Sequence, residues 1–477
     1  MMLRAASRRV GTRPSARCLR VVHGVWSRHL STAARVLDFA TPADLKQKAP
    51  ISERGNVMLV EKSLSLRPLA PLQRLQVNAE NIFAASNDPL QHTDADLGRY
   101  WQPLGDGVSA FTDVFYHTGF CGRGAEMREL KTGAMMVRRQ GLRLRDTLLK
   151  LEATNRLGGA SAFILSGDRG CGKSSTLNYA IASCHEAGWL TVVIPSANDW
   201  TLGLGATSVQ CPNEAYRLAD KEYFKEMSPV LDGTKLYDNV DASTAFLLAT
   251  ALSQRSKLEK IVIKDAERKA YYAPNAADAA NGPTLADLLD QVVGDGFGHF
   301  SDFPAPQRPI HDFLSELQLV TEMPVLLAID GWNVWDKMAS SCVWGDPSTP
   351  LHASQLLVPH MLGTLDYGQQ MANGLMVCAL SHSMPSASIP KPMRKKFPPP
   401  TDWRSVHSLP ADVRRRMVSV PPYSHDELSQ CLGYYALAGH LRNHRLQEEL
   451  GSGELVRKTA IMTSRVPEDV YKICEIM

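Results

Sequence analysis

A parallel α/β sheet with helices on both faces is the fold class that this 477-residue sequence predicts. Three observations predict it. The stretch Gly167-Asp168-Arg169-Gly170-Cys171-Gly172-Lys173-Ser174 fits GxxxxGK[ST] and sits between a short apolar run and a helical pattern. A second apolar run, Val325 to Ile329, ends in an acid, Asp330. From about residue 126 to residue 383, strand-like and helix-like patterns alternate.

The elements follow in order. Residues 141–153 place leucines at 142, 144, 148, 149 and 151 among charges, which predicts an amphipathic helix. Residues 162–165 (AFIL) read as a buried parallel strand, and Ser174 to Ala182 as the helix after the glycine loop. Residues 190–194 (LTVVI) are a second strand, stopped by Pro195. Helices are expected over 242–254 and 310–320, and strands over 325–330 and 374–383. Residues 201–240 and 265–310 read as irregular insertions because Asp, Asn, Gly and Pro cluster there. The expected divisions are an N-terminal address over 1–36, an extended arm with little core of its own over 37–125, a nucleotide-binding domain over 126–385, and a basic linker with a mainly helical part over 386–477. Ser424 followed by Glu427 is a capping-box pattern at the start of a helix in that last part.

The glycine loop carries the chemistry. Glycines at 167, 170 and 172 let backbone N–H groups approach an anion, and a helix N-terminus after them favours negative charge. Lys173 is placed to reach β- and γ-phosphates, and the Ser174 hydroxyl to ligate Mg²⁺. Asp330 suits the second role at such a metal, on a strand expected beside the strand of the glycine loop. An ordinary strand followed by a turn would look the same locally. Ser381-His382-Ser383 ends the strand at 374–383, where a polar side chain can sense a γ-phosphate or simply meet solvent.

Composition bounds the rest. With 44% hydrophobic and 21% charged residues the chain is ordinary for a globular protein, and no apolar run has the length of a membrane span. A net charge of +3 does not by itself imply nucleic-acid binding, although Lys391, Arg394, Lys395, Lys396 and Arg404, then Arg414-Arg415-Arg416, form two basic clusters suited to a phosphate backbone or to solvent. Nine scattered cysteines without a CxxC pair argue against a disulfide framework or zinc site and for a reducing compartment. The first 35 residues hold eight arginines, no lysine and no acid, the pattern of a mitochondrial transit peptide with cleavage between residues 28 and 37; a chloroplast address is chemically close.

These residues together resemble the death-associated protein 3 family, a P-loop family of the mitochondrial small ribosomal subunit. The resemblance lies in RELKTGAMMVRRQGLRL (128–144), the glycine loop, LTVVIPSANDW (190–200), MPVLLAIDGWNVWD (323–336) and PPYSHDELSQCLGYY (421–435), and spans roughly 126–477. It implies a P-loop NTPase fold of the AAA+-like kind with a smaller helical C-terminal part. It also implies a guanine nucleotide (GTP or GDP; ATP or ADP as the alternative) with Mg²⁺, and contacts to small-subunit rRNA and neighbouring ribosomal proteins near the subunit interface. Neither a membrane nor DNA is an expected partner. By similarity, Gly167, Asp168, Arg169, Gly170, Cys171, Gly172, Lys173, Ser174 and Ser175 cradle the phosphates, and Ser174 and Asp330 hold the metal shell. Arg138, in MVRRQ, falls where the base pocket is expected, and Arg465, in SRVPEDV, where a residue facing the phosphates is expected.

Whether the loop serves fast hydrolysis or retention turns on the residues after Asp330. Hydrolysis needs an attacking water to be oriented and partly deprotonated. Gly331 cannot act as a base, and Asn333 can position a water without taking its proton. No arginine finger and no NKxD-like base-specificity motif is found. The reading is a structural nucleotide-binding ribosomal subunit; a free mitochondrial AAA+-type ATPase or switch GTPase is the alternative.

Overall fold

Four buried apolar runs and one short edge strand assemble into a single parallel sheet in the computed structural model. The structure describes residues 79–102, 111–118, 120–122, 134–158, 162–202, 240–275, 282–293, 307–337, 339–346, 349–353, 356–381, 417–441, 449–450 and 453–476. The expected transit peptide, the basic clusters, His382, Ser383 and nearly all of the 201–240 insertion lie outside them.

The strands are β1 (Ala162–Ser166), β2 (Leu190–Ile194), β3 (Val325–Asp330), β4 (Gly374–Ala379) and β5 (Met417–Ser419). Their spatial order is β2-β3-β4-β1-β5, and every pairing is parallel. This corrects the expectation that the Asp330 strand lies beside the glycine-loop strand: β4 runs between them, pairing Ile164 with Cys378 and Ile329 with Cys378. An apolar run buried on both faces fits any interior position, so local sequence does not set the order.

Alternation along each strand divides the core in two. Ala162, Ile164, Val192, Leu327 and Met376 face one layer; Phe163, Leu165, Val193, Leu326 and Val377 face the other. The first layer is covered by α3 (Val240–Leu258), α5 (Leu285–Val293) and α6 (Gln307–Leu319), through Phe246, Leu288 and Phe313 among others. The second is covered by α1 (Arg139–Ala153) and α2 (Lys173–Glu186). A third core lies under α7 (His425–Leu437), α8 (Glu454–Thr463) and α9 (Pro467–Ile476). Ser424 opens α7 with both bonds of the capping box.

Three boundaries differ from the sequence reading. The 265–310 insertion contains α4 (Ala266–Tyr272) and α5, whose Leu285, Leu288 and Leu289 are fully buried; the flanking Asn, Gly and Pro obscure these short helices. The stretch read as an arm supplies Trp101, Val114, Phe115 and Cys121 to the second core and Ile82 and Tyr100 to the third. It lacks periodicity because its apolar residues serve two cores that other segments build. The sheet also takes β5 from beyond residue 385, so the expected domain boundary cuts through it.

Candidate functional site

Parallel strands deliver their C-terminal ends to one edge, where open α/β sheets bind ligands. There β1 runs into the glycine loop, β3 ends in Asp330, and α2 begins. Gly172 is the N-cap of α2 at φ +93°, a left-handed conformation that an L side chain rarely adopts, and it makes no side-chain cap. No side chain at residue 172 therefore competes for the N–H groups of the first turn.

Lys173, the first residue of the helix, is buried, and its Nζ donates to Gly167 O at 2.9 Å and Asp168 O at 2.7 Å. Burial lowers its pKa. Ser174 Oγ donates to Asp330 Oδ1 at 3.1 Å. Burial pushes the Asp330 carboxyl up to about 6, while the Ser174 hydroxyl, the Gly331 N–H and the Lys173 ammonium hold it down in part. This is a carboxylate short of countercharge. Among the described residues no group of three or more His, Cys, Asp or Glu could hold a metal. Mg²⁺ does not need one: it takes one or two protein oxygens and completes its shell with phosphate oxygens and water. The Ser174–Asp330 pair fits that donor set.

A cavity of about 580 Å³ opens over these groups, within the roughly 300–1,000 Å³ usual for small-molecule sites. Gly170, Gly172, Lys173, Ser174 and Ser175 line one end, and Asp330, Gly331 and Ser381 lie beside them. Tyr100, Met136, Tyr423, Tyr435 and Tyr471 also line it. Sequence reasoning missed these four tyrosines, because distant segments around residues 100, 423–435 and 471 supply them. Gly167, Asp168 and Cys171 do not line the cavity; the first two offer their carbonyls to Lys173.

Of two further expected ligand residues, Arg138 lies on the cavity wall and Arg465 does not. Arg138 lines the cavity, yet its guanidinium is committed to the protein: Nη1 donates to Cys171 O at 2.7 Å, Nε to Glu427 Oε1 at 3.2 Å, and Nη2 to Pro421 O at 2.9 Å. It also lies 4.9 Å from the centre of the Tyr423 ring. It clamps the glycine loop to the helical part. Arg465 is absent from the cavity wall; it stands at φ +64° in the turn before α9, and its carbonyl accepts from Tyr423 N at 2.9 Å. Among the described residues, the cations that line the cavity are, besides Lys173 and Arg138, Arg169 and Lys472. Both meet Glu468, at 3.5 and 2.5 Å, and Glu468 N donates to Gly170 O at 3.2 Å.

The segment after Asp330 is structural. Asn333 Nδ2 donates to Ser381 O at 2.8 Å and its Oδ1 accepts from Ser381 N at 2.7 Å, so each end of the amide holds the end of β4 and keeps one further N–H or lone pair. Trp335 Nε1 donates to Ala197 O, and Trp332 Nε1 to Leu362 O. These three side chains pin the ends of β2 and β4 and the Leu362 turn around the cavity. Gly331 has φ +76°, so a glutamate directly after Asp330 would be strained as well as absent.

Comparison with known proteins covers this same region. Residues 135–472, from the segment before α1 to the last helix on the cavity wall, match the model of a family described as mitochondrial ribosomal death-associated protein 3. Two similar relatives are the small ribosomal subunit proteins mS29 of Bos taurus, 30% identical over 422 residues, and of Mus musculus, 25% identical over 419. The alignments take in 85% and 84% of this chain and 92% of each relative. With a family match over most of its length and a relative of this similarity, the chain belongs to the mitochondrial ribosomal death-associated protein 3 family.

Proposed function

We propose that this protein is a component of the small subunit of the mitochondrial ribosome that retains a purine nucleotide in a P-loop fold and does not turn it over rapidly. The curated relatives are small-subunit ribosomal proteins, which supports the assembly and its mitochondrial location. The observation that carries the nucleotide reading is the juxtaposition of Lys173, the open first turn of α2 and the Ser174–Asp330 pair on one cavity. The loop N–H groups and Lys173 would hold phosphate, Ser174 and Asp330 would hold Mg²⁺, and the tyrosines would face the base. A bound Mg²⁺ would supply countercharge to the phosphates and to Asp330. GTP or GDP follows from the family resemblance, with ATP or ADP as the alternative.

Retention fits the surroundings. The backbone at Gly331 disfavours a base there, and Asn333 is held by Ser381. A nucleotide bound only by the folded state stabilises it by mass action. Contacts to small-subunit rRNA, to neighbouring ribosomal proteins and near the subunit interface belong to the same proposal. The test is sedimentation of mitochondrial lysate, followed by identification of the nucleotide extracted from the purified protein. Co-sedimentation with the small subunit and a stoichiometric guanine nucleotide are expected. A wholly free protein overturns the ribosomal role, and an empty protein overturns the nucleotide role.

A further inference from the structure

One residue touching the Ser174–Asp330 pair comes from neither the glycine loop nor the sheet. Gly122 stands at φ +63° on the cavity wall. A Cβ there would lie 2.6 Å from Ser174 Oγ, 2.7 Å from Ser174 Cβ and 3.3 Å from Asp330 Oδ2. The first two distances are shorter than any van der Waals contact, so even alanine at 122 would intrude on the hydroxyl and crowd the carboxylate.

The position of Gly122 is enforced by its neighbour. Cys121 is fully buried; its N–H donates to Asn178 Oδ1 at 3.0 Å, and its carbonyl accepts from Asn178 Nδ2 at 3.1 Å. Asn178 is itself fully buried on α2, one turn after Ser174 and on the same side of the helix. One helix turn therefore presents the hydroxyl and grips the backbone beside it. A second anchor is the stack of Phe120 on buried Phe115, with ring centres 4.3 Å apart.

We infer that Cys121–Gly122 forms the outer wall of the Ser174–Asp330 half of the cavity and, by lacking a side chain at 122, leaves both oxygens open to a hydrated divalent cation on a nucleotide phosphate. The inference rests on the nucleotide reading above and assigns Gly122 as a positioning residue. Glycine is required because a Cβ at 122 would overlap Ser174 Oγ and crowd Asp330 Oδ2, the two oxygens that would hold the ion. An ion on Ser174 and Asp330 would fix the wall through α2, and order in residues 120–122 would then report the metal.

Two measurements on the full-length protein decide the matter. Hydrogen exchange of the peptide covering 111–122 is compared with GDP in Mg²⁺ and with GDP in EDTA. Exchange in Mg²⁺ is expected to be slower by about fivefold or more. Nucleotide retention is then compared for the wild type and Gly122→Ala. The wild type is expected to retain GDP about tenfold better in Mg²⁺ than in EDTA, and the variant to fall to the EDTA level in both. Equal exchange in the two conditions, or a full Mg²⁺ response in a folded Gly122→Ala protein, overturns the inference; the exchange experiment stands even if that variant fails to fold. If the wild type retains no nucleotide in either condition, the underlying reading falls and the inference with it. Retention that ignores residue 122 removes the inference alone.

Discussion

Arg138 and Glu427 form a buried ion pair, Nε to Oε1 at 3.2 Å, between residues 289 positions apart. Each also holds a second group. Arg138 donates to Cys171 O in the glycine loop, and Glu427 caps α7 by accepting from Ser424 N at 2.8 Å. The loop and the helical part are thus joined through two side chains. Removing one partner leaves a buried charge. Arg138→Ala is expected to lower stability by about 3–5 kcal/mol in chemical unfolding. Arg138→Lys should recover little, since an ammonium cannot serve Cys171, Pro421 and Glu427 in the geometry of the guanidinium fork. Recovery by lysine to within about 1 kcal/mol of wild type would show that charge alone matters.

Lys173 bonds two loop carbonyls and stands on the cavity wall. Lys173→Ala should leave the fold intact by circular dichroism and reduce nucleotide retention about 10–100-fold, the loss of one charge-assisted contact of about 1.5–3 kcal/mol. Unchanged occupancy in the purified variant would remove the phosphate role.

Gly331 has room for a Cβ, with Ser381 and Val334 the nearest atoms at 3.7 Å, but its φ is +76°. Gly331→Ala is expected to cost about 1 kcal/mol from backbone conformation alone. Gly331→Glu should bring no rapid hydrolysis, because its Cβ would head towards Ser381, Val334 and Ala197. A tenfold or larger rise in phosphate release (about 1.4 kcal/mol in barrier) would contradict this.

Asn333 satisfies both backbone groups of Ser381. Asn333→Ala removes both of these bonds and should cost about 1–3 kcal/mol in urea unfolding. Asn333→Asp should not restore the loss, because a carboxylate oxygen would then face the Ser381 carbonyl. A neutral result for both would mean that the end of β4 is held by packing.

His185 is buried at the far end of α2, between Lys257 Nζ at 3.1 Å and Asp113 Oδ2 at 3.3 Å. Burial, with the Lys257 ammonium beside it, lowers its pKa to about 4, against an ordinary value of 6.5. The folded state resists protonating it. Its contribution is present above the unfolded pKa and is lost as pH falls through about 6.5 towards 4, by at most about 3 kcal/mol. His185→Gln should flatten that part of the curve of unfolding free energy against pH. A slope identical to the wild type would place the acid sensitivity elsewhere.

Much of this architecture is legible residue by residue. The runs at 162–166, 190–194, 325–330 and 374–379 are apolar because both faces of the sheet are covered, and Ser424–Glu427 announces its helix. The glycine loop and Asp330 stand out in the sequence, and the structure brings Ser174 and Asp330 together across 156 residues. Other features are set by partners that no local pattern names. Met417–Ser419 is a strand only because the free edge of β1 accepts it. Arg138 reads as a cavity residue, and its second task, tying Cys171 to Glu427, shows only once those partners are placed around it. Gly122 looks like any loop glycine until α2 carries Ser174 beneath it.

The strand order also has a kinetic consequence. β1 lies between β4 and β5, the two sheet strands that come last in the chain. A chain made or imported from its N-terminus therefore presents β1 with both edges unpaired until its final quarter arrives. Pairings this distant close slowly, and an apolar strand that waits for them is exposed to misassembly. The strand that launches the glycine loop is thus among the last to be enclosed, and the cavity cannot take shape before the whole polypeptide is present.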